Sequence, residues 1–438
     1  MIGGIYLKGI IGVGKLLLLM VVLIAVYVLC LYTAYLIPDA MISGRVNHEI
    51  KVLNDLESGE IRNIYPKLGL GPRTQLDLFT DRVMLQQAVQ KADSVLAKAM
   101  IPNYARYWHG YQIILRPLML FTSRRGICLL FGALIAALAW VAVSTVGKGI
   151  GADGALVFAF SLAMSYCWSA PLSMQYMNVY ILSFLGIFLC RSVKSTATLF
   201  TVLGSLVNFF DFLTFPLLTL LFPLTFLLLW QMQREDYSLK LGLSFWAEAT
   251  FCWGCGYGLT WVAKWGIGSL VLGQSVLRSA LNASIFRIAG NAAYPVSHYK
   301  AIQRNLRALL LNIAPEGWLI AFVICILFLE HRNMVPHNWY GELLGRLKAR
   351  KDKIMPLFLT AMIPYIWYFI LANHSQIHYW FTFRNQAGTI FALGGAALIL
   401  CDDLGGSRLK EHVKVHWKGM SALRKTLSLI VIAFLLWC

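Results

Sequence analysis

The chain has 438 residues, of which 58% are hydrophobic and 13% charged, and its formal net charge is +18. Apolar runs near span length recur from end to end, which excludes an ordinary soluble domain and predicts an all-α, polytopic membrane helical bundle. The basic excess does not indicate nucleic acid: much of it lies in short connections between apolar runs, where topology and anionic lipid headgroups account for it.

In chain order, the rule that a helical span needs roughly 17–25 apolar residues gives about eleven spans. They fall at 15–37, 126–147, 155–171, 176–190, 195–213, 216–231, 241–263, 309–329, 355–372, 387–402 and 424–438. Lysine and arginine in short connections stay cytoplasmic, so Lys8 and Lys15 place the N-terminus inside. Alternation then puts Lys148, Arg191 with Lys194, Arg234 with Lys240, Arg332 with the run from Arg346 to Lys353, and the run from Arg408 to Lys425 on the same side. The opposite turns hold almost nothing basic: none in 171–176 or 213–216, and only Arg384 in 373–386. The C-terminus is therefore expected outside. No small-residue cleavage pattern follows the first span, which is expected to stay as an anchor. No repeat, low-complexity tract or linker divides the sequence, so residues 1–438 read as one integral domain.

Two long connections, 38–125 and 265–308, both fall outside. Loops beyond about 12–15 residues are usually functional or disordered, and neither has a disordered composition. Within the first, 81–100 reads as a helix with Thr80 placed to cap it. The following stretch 103–121 is aromatic and amphipathic, interrupted by Arg106, His109 and Arg116, and reads as a helix lying at the membrane surface.

The outer face gathers the chemistry. Asp77 and Asp81 are four apart, a spacing that puts both on one side of a helix, although the helix dipole alone explains Asp81 in a first turn. Asp211 ends an apolar span, where a carboxylate is costly without a partner or water. His374, His378 and Arg384 share one short turn with Tyr379 and Trp380; His298 and Lys300 come from the second long loop. Singly, Trp108, Tyr176 and Trp380 are interface anchors as readily as sugar platforms. The nine cysteines are scattered, and the one CxxC, Cys252 and Cys255, lacks the further ligands a metal site needs.

A cytoplasmic N-terminus, a long first outer loop with acidic residues and surface helices, and many short-looped spans resemble the GT-C superfamily of polytopic glycosyltransferases. The strings LDLFTD, RYWHGY, FDFLTFP and NHSQIHYWFTFR also look similar to uncharacterised bacterial membrane proteins of that type. The resemblance implies a bacterial plasma-membrane enzyme that takes a sugar from a polyprenyl-phosphate carrier and transfers it to a glycan, lipid or polymer acceptor outside. It also implies an essential carboxylate soon after the first span, which favours Asp39. The adjacent acidic pair of some subfamilies is absent, so Asp39, Asp77 and Asp81 all stand as candidates for the base.

The chemistry agrees with that reading. Displacing a lipid phosphate from a sugar carbon needs a base for the acceptor hydroxyl and cations for the leaving phosphate. Asp77, Asp81 or Asp39 fits the first role; Arg384, His374, His378, Arg106 and His109 fit the second, with Asp211 orienting sugar or acceptor. No cofactor is required by the pattern. A divalent cation, Mg or Mn, is the one candidate, and no DxD string specifies its ligands. The competing class is a transporter or flippase of lipid-linked sugars, for which Glu248 inside a span is the chief support; a non-catalytic scaffold is the third.

Overall fold

The computed structural model describes residues 12–58, 78–310 and 339–401. Asp77, nearly all of the expected span at 309–329 and the whole of that at 424–438 lie outside the described residues. The described chain is helical, apart from one antiparallel pair of two-residue strands.

The helices are α1 (Val13–Tyr35), α2 (Asp39–Ser58), α3 (Leu78–Ala88), α4 (Val95–Met100), α5 (Gln112–Leu118), α6 (Arg124–Met164), α7 (Met174–Leu189), α8 (Thr196–Phe210) and α9 (Leu218–Gln231). There follow α10 (Leu239–Leu272), α11 (Val276–Ala289), the hairpin β1 (Gly290–Asn291) and β2 (Tyr294–Pro295), and α12 (His298–Leu309). After the undescribed segment come α13 (Trp339–Ala349), α14 (Lys351–Ile370), α15 (Ala372–Ile377), α16 (Tyr379–Thr382) and α17 (Gln386–Cys401).

Serines set many of the starts. Ser94, Ser123, Ser195, Ser238, Ser275 and Ser297 each accept a backbone N–H of the first turn, satisfying a donor that the helix leaves without an internal partner. Gly273 closes α10 in the left-handed region, where no Cβ penalises it. Within α6 the expected break near Lys148 falls at Ile150 and Gly151.

Three helices are long and apolar enough to cross a membrane: Gly14–Tyr35, Arg124–Met164 and Lys351–Ile370. The expectation of about eleven spans by the length rule is met only this far among the described residues. α7, α8 and α9 are apolar but shorter, with 16, 15 and 14 residues. At 1.5 Å per residue they extend roughly 21–24 Å, less than the about 30 Å of a hydrocarbon core. They form the interior. Every residue from Leu218 to Leu229 of α9 is buried, and a helix apolar all round belongs inside a bundle.

The most extensive helix contact joins α8 to α10, and glycine makes it possible. A Cβ at Gly204 would lie 2.1 Å from the Trp253 carbonyl oxygen, and one at Gly256 would lie 2.1 Å from that of Thr201. Close backbone approach is how helices associate where lipid removes the hydrophobic drive. A hydroxyl chain reinforces the seam. Thr260 Oγ1 donates to the Gly256 carbonyl at 2.7 Å, so it accepts from Ser205 at 2.8 Å, which in turn accepts from Tyr27 at 2.9 Å.

The first loop departs from expectation twice. The helix expected over 81–100 is two, α3 and α4, and Thr80 lies inside α3 while Ser94 caps α4. The stretch 103–121 is no surface helix: only Gln112–Leu118 is α-helical, and Trp108, His109, Gln112 and Arg116 are buried. His109 takes φ +59, a left-handed conformation that stops a helix of L-residues. Gly110 follows it and presses against the end of α8, donating its N–H to the Phe209 carbonyl at 2.8 Å. A Cβ at Gly110 would fall 2.6 Å from that oxygen.

Gly204→Val is expected to force α8 and α10 apart and cost about 1–3 kcal/mol by overpacking. The check is thermal unfolding of the purified protein in detergent, with Gly254→Ala, which has open space around it, as the control that leaves the transition temperature unchanged or higher.

Candidate functional site

Four separate segments meet at one end of the bundle. The α15 turn reaches the α8–α9 turn through His374 Nε2, 2.8 Å from the Leu213 carbonyl oxygen. The Leu217 N–H donates to Asn385 Oδ1 at 3.2 Å. Arg384 Nη2 donates to Ser169 in the α6–α7 turn at 3.1 Å. Phe212 packs among His109, Tyr107 and Tyr111 of the first loop, at ring separations of 5.0, 5.5 and 5.2 Å. The outward turns singled out in the sequence are therefore neighbours in space.

Asp211 is the carboxylate of this gathering. It ends α8, and its carboxylate accepts the Thr214 N–H at 2.8 Å and the Thr214 hydroxyl at 2.5 Å. Burial pushes its pKa up to about 6, against the pull of those hydrogen bonds. The turn it organises places Leu213 at φ +68, and a non-glycine residue there stores about 1–3 kcal/mol.

Arg384 is fully buried. Its guanidinium lies 4.5 Å from the Tyr176 ring, 4.9 Å from Phe383 and 5.8 Å from Phe215, and Nη1 donates to the Trp380 carbonyl at 2.8 Å. On the segments that meet here, buried side-chain atoms with no intramolecular partner are both of Asn208, Gln175 Nε2, Asn385 Nδ2 and Trp380 Nε1. Each such group costs about 1–3 kcal/mol unless something meets it.

The histidines differ from expectation. A carbonyl oxygen only accepts, so His374 carries its proton on Nε2. His109 likewise donates from Nε2 to the Tyr104 carbonyl at 2.9 Å and accepts the Tyr111 hydroxyl on Nδ1 at 2.9 Å. That arrangement is the neutral ring. Burial drives His109 down to about 3 and His374 well below the usual histidine value, with the charges of His378 and Arg287 adding to the effect at His374. Neither is a phosphate-binding cation at neutral pH. His378 stacks on Phe381 at 5.2 Å and lies 4.9 Å from His374.

The first-loop carboxylates sit elsewhere and have structural work. Asp81 is sealed at 0% exposure. It accepts Arg124 Nε and Nη2 at 2.9 and 2.7 Å, Ser173 Oγ at 3.0 Å and the Met174 N–H at 2.9 Å, so it caps α7 from a distant segment. Asp39 pairs with Lys98 and, at 3.1 Å, with Arg116. Arg116 is itself buried, with Nε donating to the Ala34 carbonyl at 2.9 Å and the other nitrogens to Ala88 and Ile37. His298 and Lys300 are exposed on α12, His298 stacked on Phe369 at 4.3 Å, and neither joins the gathering.

The sequence reading missed Lys264 and Arg287. Lys264 is fully buried, donating to the Met100 carbonyl at 2.8 Å beside Trp108; a lysine at the end of an apolar run was its available signal. Arg287 donates to the Tyr107 hydroxyl at 2.6 Å, and nothing local announces it. For the divalent cation, the described residues contain no group of three His, Cys, Asp or Glu side chains able to hold one.

Asp81→Ala is expected to cost about 3–5 kcal/mol, because it strands the Arg124 charge and uncaps α7. Thermal unfolding should show that loss, and Asp39→Asn, whose carboxylate is 26% exposed, should show a smaller one.

No family model, curated protein or solved structure matches this chain.

Proposed function

We propose that the chain is a membrane glycosyltransferase. It would take a sugar from a polyprenyl-phosphate carrier and pass it to a glycan, lipid or polymer acceptor on the extracytoplasmic face of a bacterial plasma membrane. The orientation rests on the basic cytoplasmic loops. The carrying observation is one turn, 211–217, that holds a buried carboxylate at its start and, four residues on, an aromatic ring beneath the buried Arg384 guanidinium.

The reaction assigns these parts as follows. The acceptor hydroxyl oxygen attacks the sugar carbon and loses its proton to Asp211. A new C–O bond forms as the bond from that carbon to the phosphate oxygen breaks, and the carrier phosphate leaves with the electron pair. A carboxyl pushed up to about 6 is ionised at neutral pH yet more basic than a solvated one. Arg384 offsets the charge developing on the leaving phosphate, and Tyr176 and Trp380 flank the sugar. Asp81, saturated by four donors, has no capacity left for a substrate; Asp39 and Asp77 remain candidate bases of the first loop. Because α7–α9 are shorter than a hydrocarbon core, the site is recessed, within reach of a lipid-borne phosphate.

The test is transfer from radiolabelled polyprenyl-phosphate sugars to cell-envelope acceptors by full-length protein in liposomes. Asp211→Asn should lower kcat/KM by about 10²–10⁴-fold, and the wild-type rate should climb as pH rises through about 6, where Asp211 loses its proton. Because its folded pKa is raised, ionising Asp211 costs stability as pH increases. Asp211→Asn should then be no less stable than wild type at pH 7.5, which separates lost chemistry from lost fold. Full transfer by Asp211→Asn would reject it as base; carrier binding with no transfer by wild type would assign a flippase instead.

A further inference from the structure

Arg106 and Arg287 stand 181 positions apart on the two long outer loops and converge on one phenol. The guanidinium carbons lie 5.8 and 5.7 Å from the Tyr107 ring centre. Arg287 Nη2 donates to the Tyr107 hydroxyl at 2.6 Å, and both positive charges act on that phenol. Arg106 also stacks 4.2 Å over Tyr104. Tyr107 is buried, and both arginines are half-buried.

Two features set these arginines apart from Arg116 and Arg124. Among the described residues neither lies within the 4.0 Å salt-bridge distance of a carboxylate. The Nε–H of each is buried with no acceptor. Arg116 and Arg124, by contrast, each meet an aspartate. Two like charges held by one neutral phenol repel each other; Arg287 Nη1 donates to the Ala283 carbonyl at 3.0 Å, and the Nε–H of each arginine is left over. Neutral His109 and the aromatic rings of Phe212 and Trp261 surround the phenol, and the nearby Asp211 carboxylate is held by Thr214 rather than by either arginine. A planar guanidinium presents paired donors matched to a phosphate or carboxylate fork, and a pair of them suits a group carrying more than one negative charge.

We infer that Arg106 and Arg287 form a two-arginine phosphate clamp across Tyr107, built only when the two long outer loops meet, and that its ligand is a phosphate monoester or diester. The inference rests on the proposed use of a phosphate-linked carrier, whose phosphate this clamp would hold beside the Asp211 turn; soluble phosphate shares the chemistry.

The test is binding to full-length protein in phosphatidylcholine nanodiscs, using a short polyprenyl monophosphate, the corresponding polyprenol and inorganic phosphate. The monophosphate is expected to bind at least tenfold more tightly than the polyprenol, with an affinity that falls as salt rises. Arg106→Gln and Arg287→Gln should each remove at least tenfold of the monophosphate affinity and leave polyprenol binding unchanged. Arg106→Lys and Arg287→Lys, which keep the charge but not the fork, should lose part of it and serve if the glutamine variants do not fold. Inorganic phosphate binding with the same arginine dependence would support the clamp and assign it a soluble source. Equal wild-type affinity for monophosphate and polyprenol, or unchanged affinity in folded variants of both arginines, would overturn it. Transfer that persists in those variants would overturn the clamp and leave the transferase standing. Arginine-dependent phosphate binding without transfer would do the reverse.

Discussion

Irregular backbone can lie at membrane depth only when protein satisfies its N–H and C=O groups, and the organisation of this chain follows from that constraint. α7, α8 and α9 end before a hydrocarbon core would, so the turns after them must be met from inside. Distant side chains do this. His374 donates to the Leu213 carbonyl, and Asn385 accepts the Leu217 N–H. Trp108 donates to the Thr260 carbonyl, Trp265 to that of Arg106 and Lys264 to that of Met100. Buried cations here are held largely by carbonyl oxygens, which explains how a chain with so few acidic residues carries positive charge inside.

The same constraint sorts the carboxylates. Asp81 closes the start of α7 and neutralises Arg124, and Asp39 neutralises Arg116 and Lys98. Those two anchor the first loop. Asp211 differs because its hydrogen-bond partners are neutral groups of its own turn. A carboxylate met only by neutral donors keeps more of its basicity than one met by guanidinium, and in that respect Asp211 stands apart from Asp39 and Asp81.

Local features were legible and non-local ones were not. The apolar runs expected at 176–190, 195–213 and 216–231 appear as Met174–Leu189, Thr196–Phe210 and Leu218–Gln231, because a continuous apolar run of that length specifies a buried helix by itself. One non-local feature agrees with the sequence: the alternation of basic and non-basic connections puts the turns around Ser169, Asp211 and His374 at one end of the bundle, where they meet. The break of 81–100 into two helices and the burial of 103–121 were not readable: Ser94 caps a new helix after the break, and the burial follows left-handed residues, Ile101 and His109, that tertiary contacts impose. The protonation of the histidines was hidden for the same reason. His374 is neutral because it is buried, with the charges of His378 and the distant Arg287 adding to the effect, and no spacing rule encodes that.

Left-handed non-glycine residues mark where this chain stores strain. His109 and Leu213 lie on the two segments that Phe212 joins, and Tyr166 introduces the turn that carries Ser169 to Arg384. Such conformations persist only when surrounding contacts over-determine them. Here those contacts are the Gly110 approach to Phe209, the His374 bond to Leu213 and the Tyr104 and Tyr111 bonds to His109. The first loop, the α8–α9 turn and the α15 turn are thus mutually enforcing. Arg287 then ties the second long loop to Tyr107 in the first. Phe212 follows Asp211 in the chain and packs on Tyr107, so the Arg287–Tyr107 bond sets both long loops beside the turn that carries the carboxylate.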